Sequence, residues 1–332
     1  GLLSAWGVRL MGLKQHRQPP VKRRSYFGAH WKSALLSMGL FSLSVWAIDQ
    51  ELRQYSLAAV WHSLTQLPSD RLLGAIALTG LNYFVMTGYD TLALRYINRT
   101  LPYAKTALVA IATYGVSNSV GFALFSSSAI RYRFYRAWGI SVLDIAKISV
   151  FCNFSFWLGL FAIGSVVFLT SAITVPTQLH LPFISVRPLG ALFGVMVLGY
   201  LLLTGLRKTA FQLGAWTIPQ LPLGLSLWQI AISGLDWALA AATLYVLLPV
   251  NADLSYPSFV AIYLLAQIAG VLSNVPGGLG VFETVMLLLL SSLIPATHLL
   301  GALLVYRAIY YLLPLLVAFC CLAGYEIRQR SR

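Results

Sequence analysis

Of the 332 residues, 58% are hydrophobic and only 10% are charged, and the mean hydropathy is +0.77. A soluble domain covers itself with roughly 25% charged residues, and a disordered chain needs low hydrophobicity and abundant charge, so both classes are excluded. The net charge of +14, from 23 Lys and Arg against 9 Asp and Glu, sits mostly in short stretches between apolar segments. That is the pattern of loops facing an anionic leaflet; no RNA-binding motif accompanies it, and no nucleic-acid partner is expected.

The chain reads as an all-α polytopic membrane protein, with about six full spans and two re-entrant or broken helical hairpins. Crossing the hydrocarbon takes about 20 apolar residues in a helix. Residues 1–32 form a basic segment, with Arg9, Lys14, Arg17, Lys22, Arg23, Arg24 and Lys32, and place the N-terminus in the cytoplasm. Gly1 stands where an initiating Met is usual, without the short apolar core of a leader, and a truncation or tag remnant is expected there. A transmembrane domain then occupies 33–327, beginning with a span at 33–48. Residues 55–68 carry Leu57, Val60, Trp61 and Leu64 at helical spacing and predict a short helix on the outer interface.

The second span, 72–89, returns the chain to the cytoplasmic bases Arg95, Arg99 and Lys105. The segment 104–130 is apolar but centred on Gly115-Val116-Ser117-Asn118-Ser119-Val120-Gly121, rich in glycine and hydroxyls, where a helix break is expected. A full crossing here puts Arg131, Arg133 and Arg136 outside; a hairpin that dips in and returns keeps them inside. Spans at 143–170, 189–206 and 227–248 follow, leaving Arg187 outside and Arg207 and Lys208 inside. Residues 258–295 are too long for one span and are broken at Pro276-Gly277-Gly278-Leu279-Gly280, which predicts a second hairpin entered from outside. A last span, 298–325, leads to the basic cytoplasmic tail 328–332. The two breaks share Gly-Val followed by Ser-Asn, at 115–118 and 270–274, and opposed hairpins are the arrangement of an inverted-repeat transporter; chance similarity in apolar sequence is the competing reading.

Ionisable residues in a span are costly unless paired or wetted, so each marks a candidate site. Asp90, Arg131, Arg133, Asp236, Glu283 and Arg307 form such a set and are expected to neutralise one another around a shared polar cavity, joined by Asn118, Asn274, Gly277, Gly278 and Tyr310. The bland readings are an interfacial cap for Asp90, plain positive-inside residues for the arginines, a structural Glu283–Arg307 pair and a local hydrogen bond for Asp236. A helix restarting at the glycine break offers free N–H groups and a positive dipole end, and with an arginine nearby that suits a phosphate. No Lys-Ser or Lys-Thr follows the glycines, which argues against a nucleotide and for a phospholipid headgroup. Cys152, Cys320 and Cys321 read as small apolar side chains, the five histidines show no i, i+4 pairing, and neither a metal nor another cofactor is expected. Small residues along several spans fit helix packing within the chain or a homo-oligomer.

Tyr89-Asp90, Arg131-Tyr132-Arg133 with Tyr135, Pro276 through Glu283, and Tyr306-Arg307 through Tyr310-Tyr311 with Pro314 occur in order. In these motifs the chain resembles the lysylphosphatidylglycerol synthase/flippase transmembrane family, the membrane half of the bacterial multiple peptide resistance factor and its stand-alone relatives. The resemblance implies a multi-pass protein of the bacterial inner membrane that moves an anionic or aminoacylated phospholipid, such as lysyl-phosphatidylglycerol, between leaflets, and a link to antimicrobial peptide resistance. It implies no enzyme activity in this chain, because the family's aminoacyl-transferase is a separate soluble domain that follows the membrane region and is not seen before Arg332. That transferase, as a domain or a protein, is an expected partner. The alternatives are a non-transporting module that scaffolds such a transferase, or a translocator of a polyprenyl-phosphate lipid. An intramembrane enzyme using Asp90, Asp236 or Glu283 as general acid–base ranks last, for want of a nucleophile–base arrangement.

Overall fold

The computed structural model describes residues 57–331 apart from 122, 176, 178–181, 183, 214, 215, 219, 250–252 and 274, together with the isolated positions 39 and 42. The expected first span at 33–48, save those two positions, the basic segment 1–32 and Asn274 therefore lie outside the described residues. The described chain is helical almost throughout, and five helices in it are long and apolar enough to cross a membrane. They coincide with the five later spans expected from the sequence.

In chain order the helices are α1 (Leu57–Gln66), α2 (Ser69–Tyr96), α3 (Tyr103–Val120), α4 (Ala123–Ala137), α5 (Val142–Thr170), α6 (Arg187–Leu206), α7 (Leu223–Tyr245), α8 (Tyr256–Leu272), α9 (Val281–Leu290), α10 (Ala296–Tyr306) and α11 (Leu313–Arg330). The outer-interface expectation falls on α1, which packs against α10 and leaves Trp61 exposed. Two small departures from an all-helical chain lie in the loops: a strand pair β1 (Phe211–Leu213) and β2 (Trp216–Ile218), and a single bridge between Thr174 and Ser185.

Local chemistry sets the helix starts. Ser141 caps α5 by accepting a hydrogen bond from the Asp144 amide at 3.1 Å, and Ser255 caps α8 through the Ser258 amide at 3.4 Å. Pro188 in the first turn of α6 and Pro257 in the first turn of α8 occupy positions whose N–H has no helical partner.

The first hairpin is α3 and α4, and it turns at one residue. Gly121 has φ 76°, a conformation that favours glycine, and α3 is continuous up to Val120. The break expected at 115–121 thus contracts to its last glycine. Gly115 is an ordinary helical residue with a different use: a Cβ there would stand 2.6 Å from the Pro314 carbonyl oxygen, so its lack of a side chain lets α3 lie directly on α11. The second hairpin is α8 and α9. It turns through Pro276–Gly278 and Gly280, with φ of 61°, 63° and 79° at Gly277, Gly278 and Gly280. The shared serine therefore falls at different places, Ser117 inside α3 in the first hairpin and Ser273 at the end of α8 in the second.

The hairpins enter from opposite ends of the bundle. Arg99 pairs with Asp144 at 3.7 Å, and Arg133 at the close of α4 pairs with Glu326 near the end of α11, which fixes one end. The start of α2 meets the end of α7 where Arg71 donates to the Leu248 carbonyl at 2.6 Å, and the Tyr245 hydroxyl donates to the Leu254 carbonyl at 2.8 Å ahead of α8, which fixes the other. Between the ends, α7 packs against both α2 and α5, with Gly159 on α5 so near Ser233 on α7 that a Cβ would lie 2.4 Å from the serine Cβ. The last span runs unbroken from α10 into α11 but widens to a π-helical turn over Arg307–Leu312. Pro314 supplies the cause: it has no N–H for the Tyr310 carbonyl and crowds it, and the helix accommodates by widening. The carbonyl lies 3.5 Å from the Tyr83 hydroxyl, which donates to it.

Candidate functional site

The tips of the hairpins meet, α3 touching the Pro276–Gly278 turn, and beside this contact lies a cavity of about 380 Å³. Five of the expected site residues line it: Asn118 from α3, Asp236 from α7, Gly277 and Gly278 from the turn, and Tyr310 from the π turn. Asn153 and Trp157 of α5, Trp237 of α7, Gln267 of α8 and Tyr311 complete its polar and aromatic wall, while Leu124, Phe125 and Val275 form an exposed apolar edge.

The other charges do not share this cavity. They close into separate ion pairs around it. Arg131 donates from Nε and Nη2 to both carboxylate oxygens of Asp90 at 2.9 and 3.0 Å, a bidentate pair 1% and 0% exposed. The Tyr135 hydroxyl donates to Asp90 at 2.8 Å, and Arg131 also donates to the Tyr114 hydroxyl at 2.9 Å. The pair ties α2 to α4, so the base of the first hairpin is held to the span before it. Arg133 binds Glu326 and Gln329, tying α4 to α11. The expectation of one shared charged cavity is corrected accordingly: carboxylates 41 and 24 residues from their arginines pair one to one.

Glu283 and Arg307 lock the second hairpin, as the bland reading had it. Arg307 Nε donates to Glu283 at 2.7 Å and Arg307 Nη1 to the Gly277 carbonyl at 2.8 Å, with the guanidinium 4.5 Å from the centre of the Tyr311 ring. The other Glu283 oxygen accepts from the Gly280 amide at 2.8 Å, at the start of α9. The glycine break does make an anion site with an arginine beside it, and the chain's own Glu283 carboxylate sits there.

Asp236 differs from every other buried charge. It lies mid-helix in α7, 2% exposed, and its carboxylate accepts from the Tyr89 hydroxyl at 2.7 Å. Among the described residues no Lys, Arg or His forms an ion pair with it. Around it runs a net of neutral donors: Asn82 donates to the Tyr310 hydroxyl at 2.6 Å, Asn118 to the Tyr83 hydroxyl at 3.3 Å, and Gln267 to the Tyr263 hydroxyl at 3.0 Å, which in turn bonds Tyr306 at 2.7 Å. Tyr306 and Tyr310 stack with ring centres 5.2 Å apart. The sequence reading missed Asn82, Asn153 and Gln267, amides in otherwise apolar helix; extending the rule for buried charges to buried amides finds all three.

This geometry is that of a membrane domain with a polar cavity between two broken hairpins, and the comparisons place it. The profile of the lysylphosphatidylglycerol synthase transmembrane region matches residues 32–318. The chain belongs to that family. It is 48% identical over 299 residues to the uncharacterised protein slr0712 of Synechocystis, covering 90% of this chain and 93% of that one. It is 27% identical over 268 residues to the inner membrane protein YbhN of Escherichia coli, covering 79% and 82%. It is 25% identical over 305 residues to a phosphatidylglycerol lysyltransferase of Staphylococcus xylosus, covering 89% of this chain but 34% of that longer protein. The protein is thus a multi-span membrane protein of a lipid-related family.

Proposed function

We propose that this protein moves a phospholipid whose headgroup carries both a phosphate and an amine, of the lysyl-phosphatidylglycerol kind, between the leaflets of a bacterial inner membrane. The observation that carries the reading is the wall of the cavity: one carboxylate without a basic partner among the described residues, set among tyrosines and tryptophans, at the meeting of hairpins that enter from opposite ends. A carboxylate and aromatic faces suit an ammonium group. The side-chain amides and tyrosine hydroxyls supply neutral donors for the phosphate, and the apolar edge at Phe125 lets acyl chains stay in the bilayer. Asn118, Asp236, Gly277, Gly278 and Tyr310 are the contacts of the headgroup in this reading. Asp90, Arg131, Arg133, Glu283 and Arg307 shape the cavity by holding the hairpins. The basic flanks 1–32 and 328–332 put both termini in the cytoplasm, with the transport domain at 33–327.

Purified protein in liposomes tests this, with lysyl-phosphatidylglycerol followed by a membrane-impermeant amine reagent and a fluorescent phosphatidylglycerol as the amine-free comparison. The expected result is faster movement of the aminoacylated lipid, reduced at least about tenfold in Asp236→Ala, the loss that goes with about 1.4 kcal/mol. Equal movement of both lipids points to a cargo recognised by phosphate alone, such as a polyprenyl phosphate. No movement of either, in folded protein, favours the scaffold role.

A further inference from the structure

Among the described residues no basic group cancels the charge on Asp236. Its carboxylate accepts from the neutral Tyr89 hydroxyl at 2.7 Å, with the Asn82 amide as a second neutral donor. The groups facing it are all of that kind: Tyr83 and Tyr89 from α2, Tyr263 from α8, and Tyr310 from the π turn. From α5 the cavity receives Asn153, Phe156 and Trp157, and α6 offers Tyr200, which is hydrogen-bonded to Gln229. The buried charges Asp90 and Arg307, on neighbouring elements, are engaged with Arg131 and Glu283. The remaining charges of α2, α5 and α6 (Asp70, Arg71, Arg95, Asp144, Lys147 and Arg187) lie within the first two or last turns of their helices. Neutral donors share a carboxylate's charge but do not neutralise it, and in a low-dielectric interior an uncompensated charge is expensive. Neutralisation has to come from what the cavity admits, which is a proton or an ammonium group.

One carboxylate serves one of these at a time. We infer that Asp236 exchanges a proton for the ammonium group of the cargo, so that lipid movement is coupled one for one to proton movement in the opposite direction. When the ammonium group arrives, the Asp236 O–H bond breaks, the proton leaves to water, and the carboxylate holds the cation; when the lipid departs to the other leaflet, a proton from that side takes its place. Lysyl-phosphatidylglycerol carries two ammonium groups and one phosphate, a single net positive charge, so its exchange for one proton moves no net charge. A pH gradient drives the process and a membrane voltage does not. The inference deepens the lipid-moving reading and rests on it.

The experiment uses the full chain in liposomes containing lysyl-phosphatidylglycerol, with protein-free vesicles as baseline. Under a gradient of about one pH unit the lipid is expected to collect in the acid-facing leaflet, up to about tenfold over the other. A potassium diffusion potential alone should leave the leaflets even, and Asp236→Asn should leave them even in both cases. A second variant, Tyr89→Phe, keeps the carboxyl and removes its donor; it should keep the gradient response while displacing its pH profile. Lipid movement in wild type that ignores the pH gradient, or follows voltage, overturns the exchange and leaves the lipid-moving reading standing. Movement of neither lipid by wild type removes that reading instead. The exchange is then decided by infrared difference spectra in detergent: loss of a protonated-carboxyl band on adding lysyl-phosphatidylglycerol, absent in Asp236→Asn, supports it, and an unchanged band overturns it.

Discussion

Asp90 and Asp236 are both acids buried in apolar helices, yet their surroundings give them opposite roles. Asp90 has a bidentate arginine and a tyrosine hydroxyl, so its charge is fully occupied with holding α2 to α4. Removing one partner of such a pair leaves an uncompensated buried charge, at a cost of about 3–5 kcal/mol. Arg131→Ala is therefore expected to lower thermal stability sharply in detergent, and the double variant Asp90→Ala/Arg131→Ala to recover much of the loss. If the double variant loses as much as the sum of the two single ones, the pair is not the unit described here. Asp236→Asn, by contrast, keeps an acceptor for Tyr89 and should unfold close to wild type. The six buried charges among the described residues are all legible in the sequence, because charge in an apolar run is conspicuous. Their pairing is not legible, since Arg133 finds Glu326 across 193 residues and only the packed bundle determines who meets whom.

At the scale of elements, glycines do two kinds of work that look alike in a sequence. Gly121 turns a hairpin with a positive φ, whereas Gly115 sits in a regular helix and gives up its side chain to the neighbouring helix. Gly115→Ala is expected to destabilise by about 1–3 kcal/mol through overpacking against Pro314. Gly80→Ala, where nothing lies within 4 Å, should be neutral or slightly stabilising. Thermal unfolding of the two variants side by side checks this, and equal effects contradict the close approach of α3 to α11. The five later spans and both hairpins follow from apolar length and the positive-inside pattern, which are local properties. The exact turn at Gly121 and the π turn before Pro314 do not, because they depend on which helix lies alongside.

For the molecule as a whole, the opposed hairpins make a prediction about sidedness. In a background without Cys152, Cys320 and Cys321, single cysteines at Thr100, before α3, and at Ser292, after α9, are both on exposed positions. An impermeant thiol reagent added from one side of sealed vesicles should reach one and not the other, with Thr100→Cys on the cytoplasmic side. Reaction of both from the same side is incompatible with hairpins entering from opposite ends. The last span binds this arrangement together: α10 packs on α9, α11 packs on α3, Arg307 holds Glu283, and Glu326 holds Arg133. Each of those partners is made earlier on the ribosome than the residue that completes it. Until residues 296–330 have been synthesised, Glu283 and Arg133 lack these partners, and the first hairpin is held by its Asp90–Arg131 pair alone while the second has no lock. Order of synthesis thus becomes order of assembly, with the second hairpin the last to be locked.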